Sequence, residues 1–592
     1  MNVSIRAILK MLLEVEPLPC KNEKIALTFV FGLALSACTG TPAPVAEIPP
    51  PPAPEPLPQA STLTGTYLAA RFAAAEGELD GAAQYYSNLL GYDPGNGDLL
   101  ARTFLYAASA GEMDIAVPLA RQVVLQDPRN RPGHLLLAAE AMRMENYPLA
   151  EEEIQQAGGG AFFSLTNTLV QAWALAGSHR TEDALAILDQ LSNQAGVAAL
   201  HAFHKALILE YLGENEEAKE AYRQAVALPG IGSRGIDALG RFLRRTGRGD
   251  EAEEIYRDLE TRLPDSPLGS MGLAEIDAGI VPEALVSTPS EGAAEGLFAL
   301  ASSLTGEDNS DIAILYLNVA IYMRPDFELA RAFLGDRYER MGKYEKAIEV
   351  YSSVPADSVY SPMLEVQTAL NLGRIGRTEE GVARLEAVVR RAPNDLEAWT
   401  ALADLRLSIE RYEGAIDAYD RAIRLTPDRD DRLVDLYFSR GITYQSLDRW
   451  NAAERDFQDA LAIDDERADI LNFLGYSWVD RGLNLDQAVT MLEKARSLRP
   501  LDGYIADSVG WAYYKLGRYE EAAEVLEQAV QLAPGASEIN DHLGDAYWMI
   551  GRKLDAQFEW MHALNLDPGP EARPIIERKL RIGLARTTPT DS

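Results

Sequence analysis

Residues Gly510–Pro534 read GWAYYKLGRYEEAAEVLEQAVQLAP, two helical patterns around a turn at Gly517-Arg518, closed by Pro534. A step of 34 residues from Ala522 reaches Ala488 in one direction and Ala556 in the other, with Pro500, Pro534 and Pro568 in phase. The same period links Ala313, Ala347, Gly381 and Ala415, and, nearer the N-terminus, Ala82, Ala116, Ala150, Ala184, Ala218 and Ala252. A small residue at this position lets two helices cross closely. Aromatic residues four positions later, at Tyr86, Tyr222, Tyr256, Tyr351, Tyr419 and Phe457, fill the gap between them. One such helix pair leaves apolar surface that only the next pair covers, so the pairs stack. The expected fold is all-α, a superhelical solenoid of about 14 helix-turn-helix units in two arrays.

Departures from the period place the boundaries. The step from Ala415 to Ala453 is 38, which predicts a longer loop at Asp428-Arg429-Asp430-Asp431. The step from Ala453 to Ala488 is 35, with a longer turn at Gly482-Leu483-Asn484-Leu485. Between Ala252 and Ala313 the gap is 61 residues, interrupted by Pro264, Pro267, Pro282 and Pro289. Residues 61–263 and 291–568 are therefore read as an N-terminal and a C-terminal array joined by an irregular break at 264–290. The alternative is one continuous array with a degenerate repeat. Residues 569–592 are expected to supply a capping helix and a polar tail.

At the N-terminus, Lys21 and Lys24 precede an apolar run, Ile25–Ala37, too short to span a bilayer comfortably but fitting a secretory leader. Leu35-Ser36-Ala37-Cys38 resembles the lipobox of bacterial lipoproteins. That resemblance makes 1–37 a signal peptide and Cys38 the lipidated first residue of the mature chain, and Thr39 behind it implies the outer membrane. Residues 38–60, Pro-rich from Thr41 to Gln59, form a semi-rigid tether. The other cysteine is Cys20, so the body of the chain holds neither a disulfide framework nor a Cys-based metal site. With 90 acidic against 55 basic residues, the net charge of -35 repels nucleic acid and anionic headgroups and attracts basic partners.

Chemistry-bearing motifs are missing from the sequence. His201 and His204 share a helical face, but no HExxH spacing and no carboxylate completes a ligand set, which leaves them a packing or surface role. There is no GxSxG, Walker loop or dinucleotide fingerprint. The chain is read as non-enzymatic, without metal and without cofactor beyond the covalent diacylglycerol and acyl lipid on Cys38. An enzyme with an unrecognised site is the competing class.

The spacing of Gly510, Tyr513, Gly517, Ala522, Ala529 and Pro534 resembles that of a tetratricopeptide repeat. The resemblance implies that the first helix of each unit lines a concave groove. It places Asn472, Tyr476, Asp480, Tyr504, Asp507, Trp511, Tyr514, Lys515, Glu538, Asp541, Asp545 and Trp548 in that groove, while Tyr513 and Tyr547 pack against neighbouring repeats. Aromatic rings there bury area at low entropy cost, and the carboxylates select basic or polar peptide. Repeats that clamp acidic C-termini use Lys, Arg and Asn at such positions, and this groove offers only Asn472 and Lys515.

Lipobox, Pro-rich spacer and long array together resemble the periplasm-facing tetratricopeptide lipoproteins of Gram-negative bacteria. The run LNFLGYSWVDRGLNLDQAV at Leu471–Val489, its continuation to Ala556, and the segment Thr288–Glu295 carry the likeness. It implies a scaffold or adaptor at the outer membrane that presents basic peptidoglycan hydrolases to a C-terminal-processing protease. Assembly of a secretion, pilus or polysaccharide-export complex is the alternative. Self-association is allowed, since repeat ends expose apolar faces unless capped.

Overall fold

The computed structural model describes residues 62–584 apart from 159–160, 193–195, 231, 264–265 and 305–309. The leader, Cys20, Cys38, the tether and the end of the tail lie outside the described residues. Among the described residues the chain forms thirty α-helices and no strand. The 34-residue phase governs the packing. Ala82, Ala116, Ala150, Ala184, Ala218, Ala252, Ala313, Ala347, Ala415, Ala453, Ala488, Ala522 and Ala556 are all 0% exposed, and the aromatic residues four positions later are buried with them. In several repeats the facing position on the first helix is a glycine because nothing larger fits, as at Gly240, Gly335, Gly441, Gly510 and Gly544. A Cβ on Gly510 would lie 2.6 Å from Leu526, and one on Gly544 2.5 Å from Trp560. Each first helix ends in a left-handed residue at the same 34-residue interval: Gly77, Gly111, Glu145, His179, Gly213 and Gly247. His179 thus belongs to a turn.

The chain divides into two compact units, one running to Ile375 and the other starting at Gly376. In the N-terminal unit the first helices Gly97–Ser109, Arg131–Arg143, Ala161–Gly177 and Ala198–Tyr211 form one face, and the chain itself covers that face. After the second helix Gly249–Arg262 come a helix at Pro267–Asp277 and an irregular stretch to Thr288. The helices Pro289–Ser303 and Ser310–Met323 then fold back. The former packs on Ala161–Gly177 and Ala198–Tyr211, the latter on Gly97–Ser109 and Arg131–Arg143.

The join is a true core. Trp173 is fully buried against Gly292, whose Cβ would lie 2.2 Å from the indole ring. The hydroxyls of Tyr316 and Thr166 share a hydrogen bond of 2.9 Å, and Asn318 Nδ2 donates to the Ser109 carbonyl at 2.8 Å. Glu295 is buried between Arg234 and Arg324. The irregular stretch within 264–290 is therefore a return path inside one unit. The helices that follow it, grouped by sequence with the C-terminal array, complete the core of the first.

The C-terminal unit is a regular stack of pairs: Leu396–Ser408 with Tyr412–Leu425, Arg432–Ser446 with Trp450–Ile463, Ala468–Arg481 with Leu485–Leu498, Gly503–Lys515 with Tyr519–Leu532, and Ser537–Met549 with Lys553–Asn565. The second helix Thr378–Arg391 opens the unit. Ala572–Ile582 closes it, burying Ile576 beside Trp560. Asp395 and Asp502 cap their first helices by accepting from backbone N–H groups of the first turn.

Candidate protein-docking groove

Residues one repeat apart on successive first helices face each other, and this register assembles the site. Asp507, on Gly503–Lys515, meets His542, on Ser537–Met549: His542 Nδ1 lies 2.9 and 3.1 Å from the two carboxylate oxygens, and both side chains are buried. Burial opposes charge on the imidazole, but Asp507, with Glu538 and Asp541 nearby, outweighs it and raises His542 to about 9. The His542 ring is therefore an imidazolium at neutral pH. Trp511 stacks on its ring at 4.0 Å and on Tyr514 at 4.8 Å, while Lys515 Nζ stands 5.0 Å from the indole centroid. Trp511 and Tyr514 stay half-buried, so each ring keeps surface for a ligand.

Around this stack, Tyr476 is half-buried, and burial together with Glu538, Asp507 and Asp480 pushes its hydroxyl above the usual range. Asp480, Tyr504, Lys515 and Glu538 are exposed. Asn472 is half-buried, and its Oδ1 has no hydrogen-bond partner. The groove is thus wet at its rim and aromatic at its floor.

At the far end the chain fills its own groove. Lys579, from the closing helix, donates to Asp541 at 2.7 Å and to Asp545 at 2.8 Å. The indole N–H of Trp548 donates to the Leu584 carbonyl at 3.1 Å, and Gly583 sits so tightly on Trp548 that no Cβ would fit. Trp560 donates to Asp545 at 2.9 Å. Asp541, Asp545 and Trp548 are therefore groove residues already covered, which differs from the open surface expected for Trp548. The open part centres on Tyr476, Asp480, Trp511, Tyr514 and Glu538. Tyr513 and Tyr547 bond to Glu493 and Glu527 of neighbouring second helices.

Sequence reasoning missed His542 and Lys579. The first was legible in principle: it stands 35 residues after Asp507, one repeat plus one residue, the same offset that relates Tyr476 to Trp511. Of the other histidines, His179 sits exposed in its turn and His562 lies 3.0 Å from Asn540 Oδ1. His204 is fully buried, accepts from Trp173 Nε1 at 3.1 Å and is held down to about 3 by burial and by His201. His201 pairs with Asp189 at 2.8 Å, and His134 with Glu153 at 2.8 Å. Among the described residues no cluster of His, Cys, Asp and Glu is arranged to hold a metal ion, and no helix is long and apolar enough to cross a membrane.

Family models of the tetratricopeptide repeat match residues 202–229, 236–267, 366–430 and 510–551. Within those residues the helix pairs match the tetratricopeptide repeat. Relatives among known proteins include a TPR repeat-containing protein of Pseudomonas aeruginosa, 26% identical over 32% of this chain and 31% of its own length. A TPR repeat protein of Schizosaccharomyces pombe is 34% identical over 17% of this chain and 36% of its own. The protein O-mannosyl-transferase of Homo sapiens is 24% identical over 23% of this chain and 15% of its own. The match thus spans about a third or less of each relative. Among solved structures, a tetratricopeptide repeat protein from Parabacteroides merdae is 15% identical over 44% of this chain and 99% of its own, with a TM-score of 0.35. YrrB, described as a TPR protein with an unusual peptide-binding site, is 20% identical over 33% of this chain and 97% of its own, with a TM-score of 0.28. Tetratricopeptide arrays are in general protein-binding scaffolds.

Proposed function

We propose that this protein is a non-catalytic adaptor that holds basic segments of client proteins in the groove centred on Trp511. The supporting observation is internal: the closing helix lays the Lys579 ammonium between Asp541 and Asp545, so this acidic, ring-lined face already accommodates a basic helix of its own chain. Glu538 on the same helix, Trp511 and Tyr514 one repeat earlier, and Tyr476 and Asp480 two repeats earlier continue the same chemistry and are left for a partner. In the fuller reading, Cys38 carries a diacylglycerol that anchors the adaptor to the outer membrane. There it brings basic peptidoglycan hydrolases together with a C-terminal-processing protease, raising their effective concentration without catalysis.

In vivo cross-linking from the groove tests the adaptor reading. Trp511→Ala with Tyr514→Ala is the variant of choice, because Trp548 is occupied by the chain itself. Cross-links to basic clients should vanish in this variant while helicity is unchanged. Retention of the same clients overturns the groove as their site, and recovery of a secretion or export complex instead of hydrolases overturns the client class. Cys38→Ser should release the protein from membranes, and unchanged membrane fractionation overturns the anchor.

A further inference from the structure

A second cleft lies on the opposite kind of surface, between second helices. It has a volume of about 490 Å³ and is bounded by Thr378–Arg391, Leu396–Ser408 and Tyr412–Leu425. Its charge is reversed: Arg390, Arg406, Arg421 and Arg424 surround it, against only Glu386 and Asp417. In a chain of net charge -35, four guanidiniums converging on one cleft are a local inversion of the field.

Two of the four are committed to structure. Arg406 donates to Glu386 at 3.0 Å and to the Gly414 carbonyl at 2.8 Å, and Arg421 donates to Asn394 at 3.0 Å and to the Pro393 carbonyl. Arg390 and Arg424 are exposed at the rim, with no hydrogen bond or ion pair of their own among the described residues. The indole of Trp399 is pinned by its N–H to the Pro393 carbonyl at 3.0 Å and is half-buried above Val389 and Leu402. A fixed aromatic floor flanked by two free guanidiniums suits one carboxylate on each side of an apolar side chain.

We infer that this cleft is a second docking site, and that its occupant is an acidic peptide segment of a partner protein, with carboxylates on Arg390 and Arg424 and an apolar residue on Trp399. Glu386 and Asp417 inside the cleft disfavour a continuous polyanion such as nucleic acid, whose evenly spaced charges would meet them. A peptide alternates charge with apolar groups and avoids that clash. The unit then carries two sites of opposite sign, and an adaptor needs two sites to join two proteins. This inference stands on residues separate from the groove and does not depend on the client reading.

The test is fluorescence anisotropy of the full-length chain with a fluorescein-labelled peptide alternating Glu and Leu, at physiological ionic strength. Saturable binding is expected. Arg390→Glu with Arg424→Glu, both exposed and outside the core, should weaken it about tenfold or more. Trp399→Leu should weaken it while leaving the salt dependence in place. The Trp511→Ala, Tyr514→Ala variant should bind the acidic peptide as the wild type does, which separates this site from the groove. The inference is overturned if the peptide fails to bind, if the double Arg variant binds equally well, or if a single-stranded oligonucleotide displaces the peptide at equal concentration.

Discussion

The two units are built from the same repeat, yet treat their first-helix face in opposite ways. In the N-terminal unit the face is filled along its length by Pro289–Ser303 and Ser310–Met323, and positions that would read a partner have become core. In the C-terminal unit, among the described residues, Ala572–Ile582 covers the last pair, and the rings of Tyr476, Trp511 and Tyr514 remain half-exposed. Small residues make the difference. Gly292 and Gly296 let one helix sink onto Trp173 and Leu169, an approach that a groove meant for a foreign ligand has no reason to build. The same architecture thus yields a self-saturated stack and a stack with vacant surface. The contrast favours the second as the place for the docking proposed above.

The largest effect that follows is on the stability of the first unit. Trp173→Ala should cost about 3–5 kcal/mol, because it empties a site closed on all sides and strands His204 Nδ1. Hydrogen exchange read segment by segment is the right measurement, since the units need not unfold together. Exchange should accelerate over 289–323 as well as over Ala161–Gly177, and stay unchanged beyond Gly376. Trp511→Ala, its counterpart in the open groove, should cost less than about 1 kcal/mol, because the ring already keeps surface in water. Equal costs would erase the distinction between a filled and a vacant face.

The two buried histidines sharpen the contrast through pH. His542 is raised to about 9 from 6.5, so it holds its proton more tightly folded than unfolded. Its contribution, about 3 kcal/mol at most, is complete below pH 6.5 and is lost as pH rises through 9. His204, held at about 3, acts in the other direction: its contribution is present above pH 6.5 and is lost as pH falls toward 3. Alkali should therefore loosen Gly503–Met549 first, and mild acid the Trp173 region first. His542→Gln should remove the alkaline sensitivity, and NMR titration of the two imidazoles checks the assignments directly. Lys579→Met comes next, at about 2 kcal/mol, because it leaves Asp541 and Asp545 facing each other without a cation. Its unfolding should stay confined to the closing helix and the last pair.

These outcomes also show which parts of the molecule the sequence could speak for. The crossing alanines and the left-handed turns recur at one interval because helix-to-helix contacts within a repeat are local, and local constraints leave a period. Trp511 and Tyr514 were legible for the same reason, since a position within a repeat implies a face. The filled face was not legible. Thr166 meets Tyr316 across 150 residues and Asn318 meets Ser109 across 209, and pairs so remote leave no period to detect. Lys579 on Asp541 and Trp548 under Gly583 escaped for a related reason: the closing helix departs from the repeat and docks by its own pattern. What repeats could be read, and what covers the repeats could not.

The smallest effect probes whether the units differ anywhere else. The turn between paired helices passes through the left-handed region in both, at Gly111 and Gly213 in the first and at Gly517 and Gly551 in the second. Glu145 in the first unit and Glu410 in the second hold this conformation with a Cβ, at φ of 58° and 59°. Glu145→Gly and Glu410→Gly should each stabilise by up to about 1 kcal/mol, the cost of a left-handed residue with a side chain, less what glycine gains in unfolded-state entropy. Urea titrations followed by hydrogen exchange should show the same gain in each unit. Matched gains would assign the contrast between the units to what lies on the first-helix face. A gain in one unit alone would mean that the turns carry part of it.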